Sequence, residues 1–357
     1  MKKKTRWISR PLYLLNALVA FVLLASYLSY FLSPEYFSWI SVISLGLPIL
    51  VAVNLAFLIF WGVQLKRYFF TSALTLALGW TFLASTYQWQ GKSMDTRGRE
   101  DVLSVMSFNV RSYNQYQMDE KEGLQAKVET FLEEEDPDVL FLQEHYTYHR
   151  TPLFTQNYQF IPGSNRNKKF SLGIVSHKPL FNRREVPLPH GPYQHFLSAD
   201  MVWNGDTVRL MCVHLMSNKL NPKDYEALKD PTNNDAEEVE KSTLDLLARL
   251  RKYGTIRSEQ IHAVRKEIQE SPYPVILGGD FNDPPSSYPY QQIHKELEDA
   301  YNASGRGLEK TYRIIPIPLR IDHLFFSEEA FNAWNYEVHK VDFSDHYPIS
   351  ADFTLSK

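Results

Sequence analysis

Apolar and polar positions divide the chain into two regimes. No charged residue occurs between Arg10 and Glu35, from 36 to 65, or from 68 to 91. Each stretch exceeds the roughly 20 residues that cross a hydrocarbon core about 30 Å thick. The pattern therefore predicts three membrane-spanning helices within residues 11–90. The middle stretch is longer than one crossing needs, so part of 36–44 lies in the interface or the helix tilts, with Pro48 a candidate kink. Trp39, Trp61, Tyr87 and Trp89 stand near the stretch ends, as an interfacial belt requires. The plainer alternative, a buried helical core, fits poorly with three such stretches in succession.

Beyond residue 100 the pattern is that of a mixed α/β domain. Apolar, β-branched runs at 102–110, 139–143, 172–176, 196–202, 208–215, 273–277, 320–326, 336–341 and 349–355 predict strands. Residues 122–134 predict an amphipathic helix. Residues 236–270 predict a charged one, interrupted near Gly254, with Ile261, Val264 and Ile268 facing the core. A short helix is expected near 290–297. Such an order suggests packed sheets covered by helices.

Charge separates the same two regions. Residues 1–100 hold 10 Lys and Arg against 3 Asp and Glu, a formal +7; residues 101–357 hold 28 against 38, a formal −10. Lys2, Lys3, Lys4, Arg6 and Arg10 precede the first apolar stretch, Lys66 and Arg67 lie between the second and third, and the first connection carries only Glu35. By the positive-inside rule the amino terminus is cytoplasmic and everything after Gly91 is extracytoplasmic. A cleaved signal peptide is the rival for the first stretch, but two remaining crossings would leave the same side exposed. The division expected is a membrane region 1–91, a polar linker 92–100 and a catalytic domain 101–357. An acidic domain lacks the broad positive field that tracks nucleic acid. Its local basic clusters are Arg166, Lys168 and Lys169, then Arg183 and Arg184. The single cysteine, Cys212, excludes an internal disulfide and reads as a small core residue.

The chemistry centres on residues 278–285, GGDFNDPP, at the end of an apolar strand. Alternation along a strand would put Asp280 and Asn282 on one face. A rigid carboxylate and amide at an open strand end suit a phosphate and its attacking water, although an Asp/Asn turn is the structural alternative. Further polar groups close other apolar runs: Ser107-Phe108-Asn109, Leu142-Gln143-Glu144, Val213-His214-Leu215, Ile321-Asp322-His323 and Ser344-Asp345-His346.

With SFNVR, LQEH, VHL, GGDFND, IDHLFF and SDHYPI in that order, residues 102–353 resemble the endonuclease/exonuclease/phosphatase superfamily of metal-dependent hydrolases. The resemblance implies a four-layer α/β/β/α sandwich with its site at one end of two packed sheets. It implies that Glu144 binds a metal with Asn109, a donor set suited to Mg²⁺ or Mn²⁺, and that Asp345 is a further metal or water contact. It implies that Asp280 orients or deprotonates the attacking water, that Asn282 hydrogen-bonds the phosphoryl oxygen, and that His346 stands by the phosphorus, paired with Asp322. His214 matches a histidine beside the leaving oxygen in the deoxyribonuclease and sphingomyelinase branches. His323 is expected to face away from the site. Arg257, Gln260, Lys310, Thr311 and Tyr312 are expected to line or brace it.

The function expected is metal-dependent phosphoester hydrolysis, with a phosphodiester favoured, facing the extracytoplasmic side. Nucleic acid, a lipid or envelope phosphodiester, and a phosphomonoester remain open as substrates. A non-catalytic envelope binding protein is the reading from another class. No protein partner is inferred.

Overall fold

The computed structural model describes residues 2–96, 98–114, 124–145, 158–162, 171–191, 194–220, 224 and 236–356. The basic cluster Arg166, Lys168 and Lys169 lies outside them, as does most of 221–241, a predominantly acidic stretch whose sequence matches no substrate motif.

Two six-stranded sheets pack face to face. The first contains β2 (Leu103–Asn109), β3 (Val139–His145), β4 (Tyr158–Phe160), β5 (Ser171–Ser176), β13 (Phe331–Val338) and β14 (Ile349–Leu355), in the order β13-β14-β2-β3-β5-β4. The second contains β6 (Leu180–Pro187), β7 (His195–Trp203), β8 (Asp206–His214), β9 (Val275–Asp280), β10 (Glu298–Asp299) and β12 (Asp322–Phe326), in the order β10-β12-β9-β8-β7-β6. A two-residue ribbon joins β1 (Tyr87–Gln88) to β11 (Gly307–Leu308). Each large sheet has one parallel pair near its centre, β2 with β3 and β8 with β9. Strand β6, with its largely exposed side chains, carries no alternation to betray it in the sequence.

Between the sheets lie Val105, Phe141, Ile174, Leu210, Cys212, Ile276, Leu324 and Phe353, all buried. This is why the strands read as continuous apolar runs. Gly278 makes the close approach possible: a Cβ there would lie 2.3 Å from the Phe141 ring. At Gly279 a Cβ would meet the Val213 carbonyl oxygen at 2.0 Å. The glycine pair before Asp280 is thus a packing requirement of the strand that delivers it.

Helices cover the outer faces. α6 (Leu124–Glu135) lays Val128 and Leu132 on the first sheet with Phe108 and Leu140. α7 (Ala236–Gln269) lays Ile261, Val264 and Ile268 on the second, with α8 (Tyr288–His294) beside it. A short α9 (Ala300–Ser304) follows, capped by the Asp299 side chain on the Tyr301 N–H. The expected interruption at Gly254 is absent, and α7 runs through it. Gly254 is there because α2 (Trp39–Leu45) crosses α7 at that point: an added Cβ would sit 2.4 Å from Ser41 Cβ.

The first ninety residues are helical but do not form three straight spans. One apolar helix with its 3₁₀ extension, Arg10–Tyr30 within and beyond α1 (Lys2–Tyr27), is long enough to cross a bilayer. α2 and α3 (Leu47–Val63) together pass the same test but are bent by 56°. The third stretch is broken into α4 (Phe69–Leu78) and α5 (Trp80–Ala84). Both breaks fall on glycine, Gly46 and Gly79, where helix propensity is about 1 kcal/mol below alanine, and Pro48 follows the first. Asn16 ties the bundle together, donating to Ser72 Oγ at 2.7 Å and accepting from Trp61 Nε1 at 3.1 Å.

The connection between α1 and α3 is fastened to the two-sheet domain. Ser29 Oγ donates to the Ser286 carbonyl at 2.5 Å, and Ser286 Oγ to the Ser44 carbonyl at 2.8 Å. Glu35 meets His262 at 3.0 Å, and the Arg251 guanidinium lies 4.4 Å from the Trp39 ring centre.

Candidate active site

The two parallel pairs end at the same edge of the sandwich. Asn109 closes β2 and Glu144 is the penultimate residue of β3; His214 and Asp280 close β8 and β9 and are register partners. Asp322, opening β12, is paired in antiparallel register with Asp280. The loop before β14 adds Asp345 and His346, held by a bridge to Tyr312.

Glu144 leaves the regular strand. Its φ is 52°, in a region that costs a non-glycine residue on the order of 1 kcal/mol, and the pairing of β3 with β5 shifts register between Leu142 and His145. A bulge of this kind re-aims a side chain; here the Glu144 carboxylate comes within 3.8 Å of His214 Nε2. Asn282 is likewise left-handed, with φ 54°. Asp280 and Asn282 do not share a strand face, because β9 ends at Asp280. Its Oδ1 accepts the Asn282 backbone N–H at 2.8 Å, an Asx turn, and the Asn282 amide donates to the Leu215 carbonyl at 3.1 Å.

Asp280 is at the centre. Its Oδ2 accepts from Asn109 Nδ2 at 3.0 Å and lies 3.5 Å from His214 Nε2 and 3.8 Å from His346 Nε2. Burial pushes its pKa up, the Asp322 charge adds to the rise, and His346 and His214 oppose it. His346 Nδ1 sits 2.9 Å from Asp322 Oδ2 and 3.1 Å from Oδ1. Since a carboxylate only accepts, Nδ1 carries the proton and Nε2 faces Asp280. Burial would lower the His346 pKa, but Asp322 and Asp280 outweigh it and hold it well above the ordinary value. The Tyr312 ring stacks edge-on, 5.1 Å between centres.

The surrounding layer is rigid. Arg257, fully buried, grips Asp283 with two bonds of 2.7 and 2.8 Å and donates to the Met216 carbonyl and Asn218 Oδ1. Gln260 accepts the Met216 N–H. Thr311 Oγ1 accepts the N–H groups of Ile321 and Asp322. Lys310 donates to the Ile315 carbonyl. Arg257, Gln260, Lys310 and Thr311 thus brace, while Tyr312 lines the cleft.

Residues 106–346 match the family model described as Endonuclease/Exonuclease/phosphatase family. The chain belongs to this family. It is therefore a phosphoester hydrolase by membership. Residues 9–86 match a second model described as a domain of unknown function. No curated protein matches the chain. Among solved structures, the endonuclease/exonuclease/phosphatase from Bacteroides vulgatus aligns with a TM-score of 0.54 at 17% identity, covering 71% of this chain and 99% of that one. A family protein from Bacteroides thetaiotaomicron gives 0.53 at 16%, covering 72% and 98%. D. rerio TDP2 complexed with single strand DNA product gives 0.51 at 18%, covering 71% and 99%. These likenesses establish the sandwich fold.

Family enzymes depend on a divalent metal, and the donor set here fits one. Glu144, Asp280, Asp322 and Asp345 are four carboxylates set against two cations, Arg111 and protonated His346. Asp345 Oδ2 lies 3.2 Å from Arg111 Nε, while its buried Oδ1 has no hydrogen-bond partner. A buried acceptor without a donor costs about 1–3 kcal/mol unless something occupies it. Asp280, Asp322 and His346 also offer ligand atoms within 4.8 Å of one another. Within that trio the Asp322–His346 bond is already made, so Glu144 and the buried Asp345 Oδ1 are the oxygen donors that best fit a cation. Asn109 presents its amide nitrogen to Asp280, and more distantly to Glu144 at 3.5 Å, while its oxygen accepts the Arg111 N–H at 3.0 Å. In this orientation it brackets the carboxylates instead of supplying an oxygen ligand.

Arg111 escapes the sequence reading: it closes SFNVR and lines the cleft, but a single arginine after a strand carries no distinguishing signal. Arg257 is expected from the sequence to line or brace the site, but its partner Asp283, 26 residues away, is invisible until α7 and the β9 turn meet. Arg184, by contrast, is taken up in an ion pair with Glu267 that also involves Arg209 and Asp200. His323 is buried, accepting from Arg320 at Nδ1 and donating from Nε2 to the Asp283 carbonyl, each at 3.0 Å. It faces away from the cleft, as expected.

Proposed function

We propose that the protein is a divalent-metal-dependent phosphodiester hydrolase held at the extracytoplasmic face of a membrane. The observation that carries this reading is the meeting of Asn109, Glu144, His214, Asp280, Asp322, Asp345 and His346, from six separate stretches, in one cleft.

Glu144 and Asp345 would hold the cation, Mg²⁺ or Mn²⁺, while Asn109 bridges Glu144 and Asp280. When bound, the ion supplies Lewis-acid stabilisation of charge on the phosphate. Asp280 orients the attacking water and takes its proton, positioned by Asn109 and the Asn282 turn. His346, charged through its bond to Asp322, places an N–H or positive charge beside the phosphoryl oxygens. His214, on the strand next to Asp280, protonates the departing alcohol oxygen. Arg111 offers a further cation to the phosphate.

The domain organisation is a membrane region 1–91, a linker 92–100 and a hydrolase domain 101–357. Three crossings, with the amino terminus cytoplasmic, agree with the basic residues at 2–10 and 66–67. They also agree with the docking of residues 29–44 and of Thr86 onto the hydrolase, since both would lie on its side of the bilayer. The second span then begins at α3, where Gly46 turns the chain away from the docked α2, and Gly79 interrupts the third without ending it.

The test is turnover of bis-p-nitrophenyl phosphate by the full chain in detergent, with Mg²⁺ or Mn²⁺ and with EDTA. Turnover should stop in chelator and return with metal; undiminished turnover in EDTA sinks the mechanism. For sidedness, alkaline phosphatase fused after Lys357 should be active, and a silent fusion rejects the topology.

A further inference from the structure

The catalytic cleft has a second end that phosphate chemistry does not use. From Glu144, Asn282, Asp345 and His346 the cavity, ≈ 410 Å³ in volume, continues along a wall of partly exposed aliphatic side chains. Leu246 and Leu250 come from α7, Ile315, Ile317 and Leu319 from the loop before β12, and Leu45 from the last turn of α2. A site for a polyanionic or sugar-rich substrate has no use for such a wall. Partly exposed leucine and isoleucine beside charged groups mean an amphipathic ligand, whose apolar part covers them.

Leu45 and Gly46 give the wall its direction. They join α2 to the apolar α3, the second half of a bent pair long enough to enter a bilayer. The cleft thus shares a wall with the element that leads into the lipid. α2 is locked to α7, by the Gly254–Ser41 contact and by Arg251 with Ser38 at 3.0 Å and with the Trp39 ring, so the wall is built in place. Charge points the same way: a domain at −10 offers no positive track for a nucleic-acid strand.

We propose that the substrate is a membrane glycerophospholipid, its phosphodiester at the Asp280 end and its acyl chains along the Leu45, Leu246 and Ile317 wall. This rests on the hydrolase reading above and names the substrate of that same site. The reaction adds the water oxygen to phosphorus and breaks one P–O ester bond. The departing alcohol oxygen takes a proton, and no further reactant is needed. Each methylene buried on the wall can raise kcat/KM up to about fourfold.

The test uses the full chain in detergent micelles with Mg²⁺ or Mn²⁺. The substrates are phosphatidylglycerol and phosphatidylethanolamine in the micelles, water-soluble glycerophosphoglycerol, a single-stranded DNA oligonucleotide and bis-p-nitrophenyl phosphate. Phospholipid should be cleaved with kcat/KM at least tenfold above glycerophosphoglycerol and above the oligonucleotide. In Leu246→Glu and Ile317→Glu, checked for folding by thermal melting, the ratio of phospholipid to bis-p-nitrophenyl phosphate kcat/KM should fall at least tenfold. Leu244→Glu, on the exposed side of α7, should not change that ratio. Turnover of bis-p-nitrophenyl phosphate with inert phospholipid, preference for the oligonucleotide, or a ratio unmoved by both wall variants each overturns the lipid inference alone. Absence of turnover on every diester brings down the hydrolase reading and this inference with it.

Discussion

His214 and Asp280 are register partners on the parallel strands β8 and β9, with Nε2 3.5 Å from Oδ2. The proposed base and the proposed acid are therefore spaced by the sheet itself, and neither side chain comes from a loop. Replacing Asp280 by Asn removes the proposed base and one of its two acceptors, since the remaining oxygen can serve Asn109 Nδ2 or the Asn282 N–H but not both. Loss of positioned acid–base chemistry costs about 10²–10⁴ in kcat. Because burial opposes the charge on Asp280, its removal offsets the lost hydrogen bond, and Asp280→Asn should melt close to the parent. A variant that loses both activity and stability would mean that Asp280 is structural.

Asp322 holds the proton on His346. The His346 pKa is raised despite burial, so the charged form contributes stability that is fully present below the ordinary histidine value of about 6.5 and is lost as pH rises through the folded value. Asp322→Asn should bring the alkaline limb of the kcat/KM profile down toward neutrality and flatten the fall in melting temperature above pH 7. A profile that does not move would remove Asp322 from the positioning of His346.

These residues were legible because they stand at the ends of apolar runs: Asn109, His214 and Asp280 close buried strands and Glu144 stands one residue from the end of another. What failed was geometry that alternation cannot express. Glu144 reaches the cleft only through a left-handed residue at a bulge, and Asn282 through a turn, and neither has a period. Gly254 reads as a helix interruption because intrinsic propensity penalises glycine, yet a helix packed against another at that contact retains it. The apolar wall was invisible for another reason. Leu45, Leu246 and Ile317 lie some 200 and 70 residues apart and become neighbours only when α2 docks on α7.

His323 should make the fold acid-sensitive. Burial, with the Arg320 charge, lowers its pKa to about 3. A histidine held neutral contributes stability present at neutral pH and lost as pH falls from the unfolded value toward the folded one. Between pH 7 and 5 the loss from this residue is about 2 kcal/mol. His323→Gln keeps a donor for the Asp283 carbonyl without the titration. Its melting temperature should fall less than the parent's over that range, and parallel curves would show that His323 does not report the acid transition.

Gly254 and Ser41 should be coupled. Adding a methyl group at 254 forces contact with Ser41 Cβ at 2.4 Å and Oγ at 2.6 Å. Overpacking of this kind costs about 1–3 kcal/mol. Ser41→Gly removes both opposing atoms, so Gly254→Ala should destabilise alone and recover most of the loss in the double variant. Additive effects in that cycle would mean that α2 does not rest on α7 there.

Metal binding should be readable without turnover. The unpartnered Asp345 Oδ1 and the crowding of carboxylates around Asp280 destabilise the metal-free fold, and a divalent ion relieves both. A ligand that binds only the folded state adds about 2.7 kcal/mol at one hundred times its Kd. Mn²⁺ or Mg²⁺ should therefore raise the melting temperature of the full chain in detergent, and EDTA should reverse the rise. In Glu144→Gln and Asp345→Asn the metal-free protein should melt no lower, because a repelling charge is gone, while the metal-dependent rise should shrink. Asn109→Ala should differ: it unseats the bracket between Glu144 and Asp280, leaving a buried carboxylate without its donor, so the metal-free protein itself should lose stability. If Asn109→Ala instead leaves metal-free stability intact and abolishes the metal response, the amide oxygen is a ligand after all, and the side chain turns over when the ion binds.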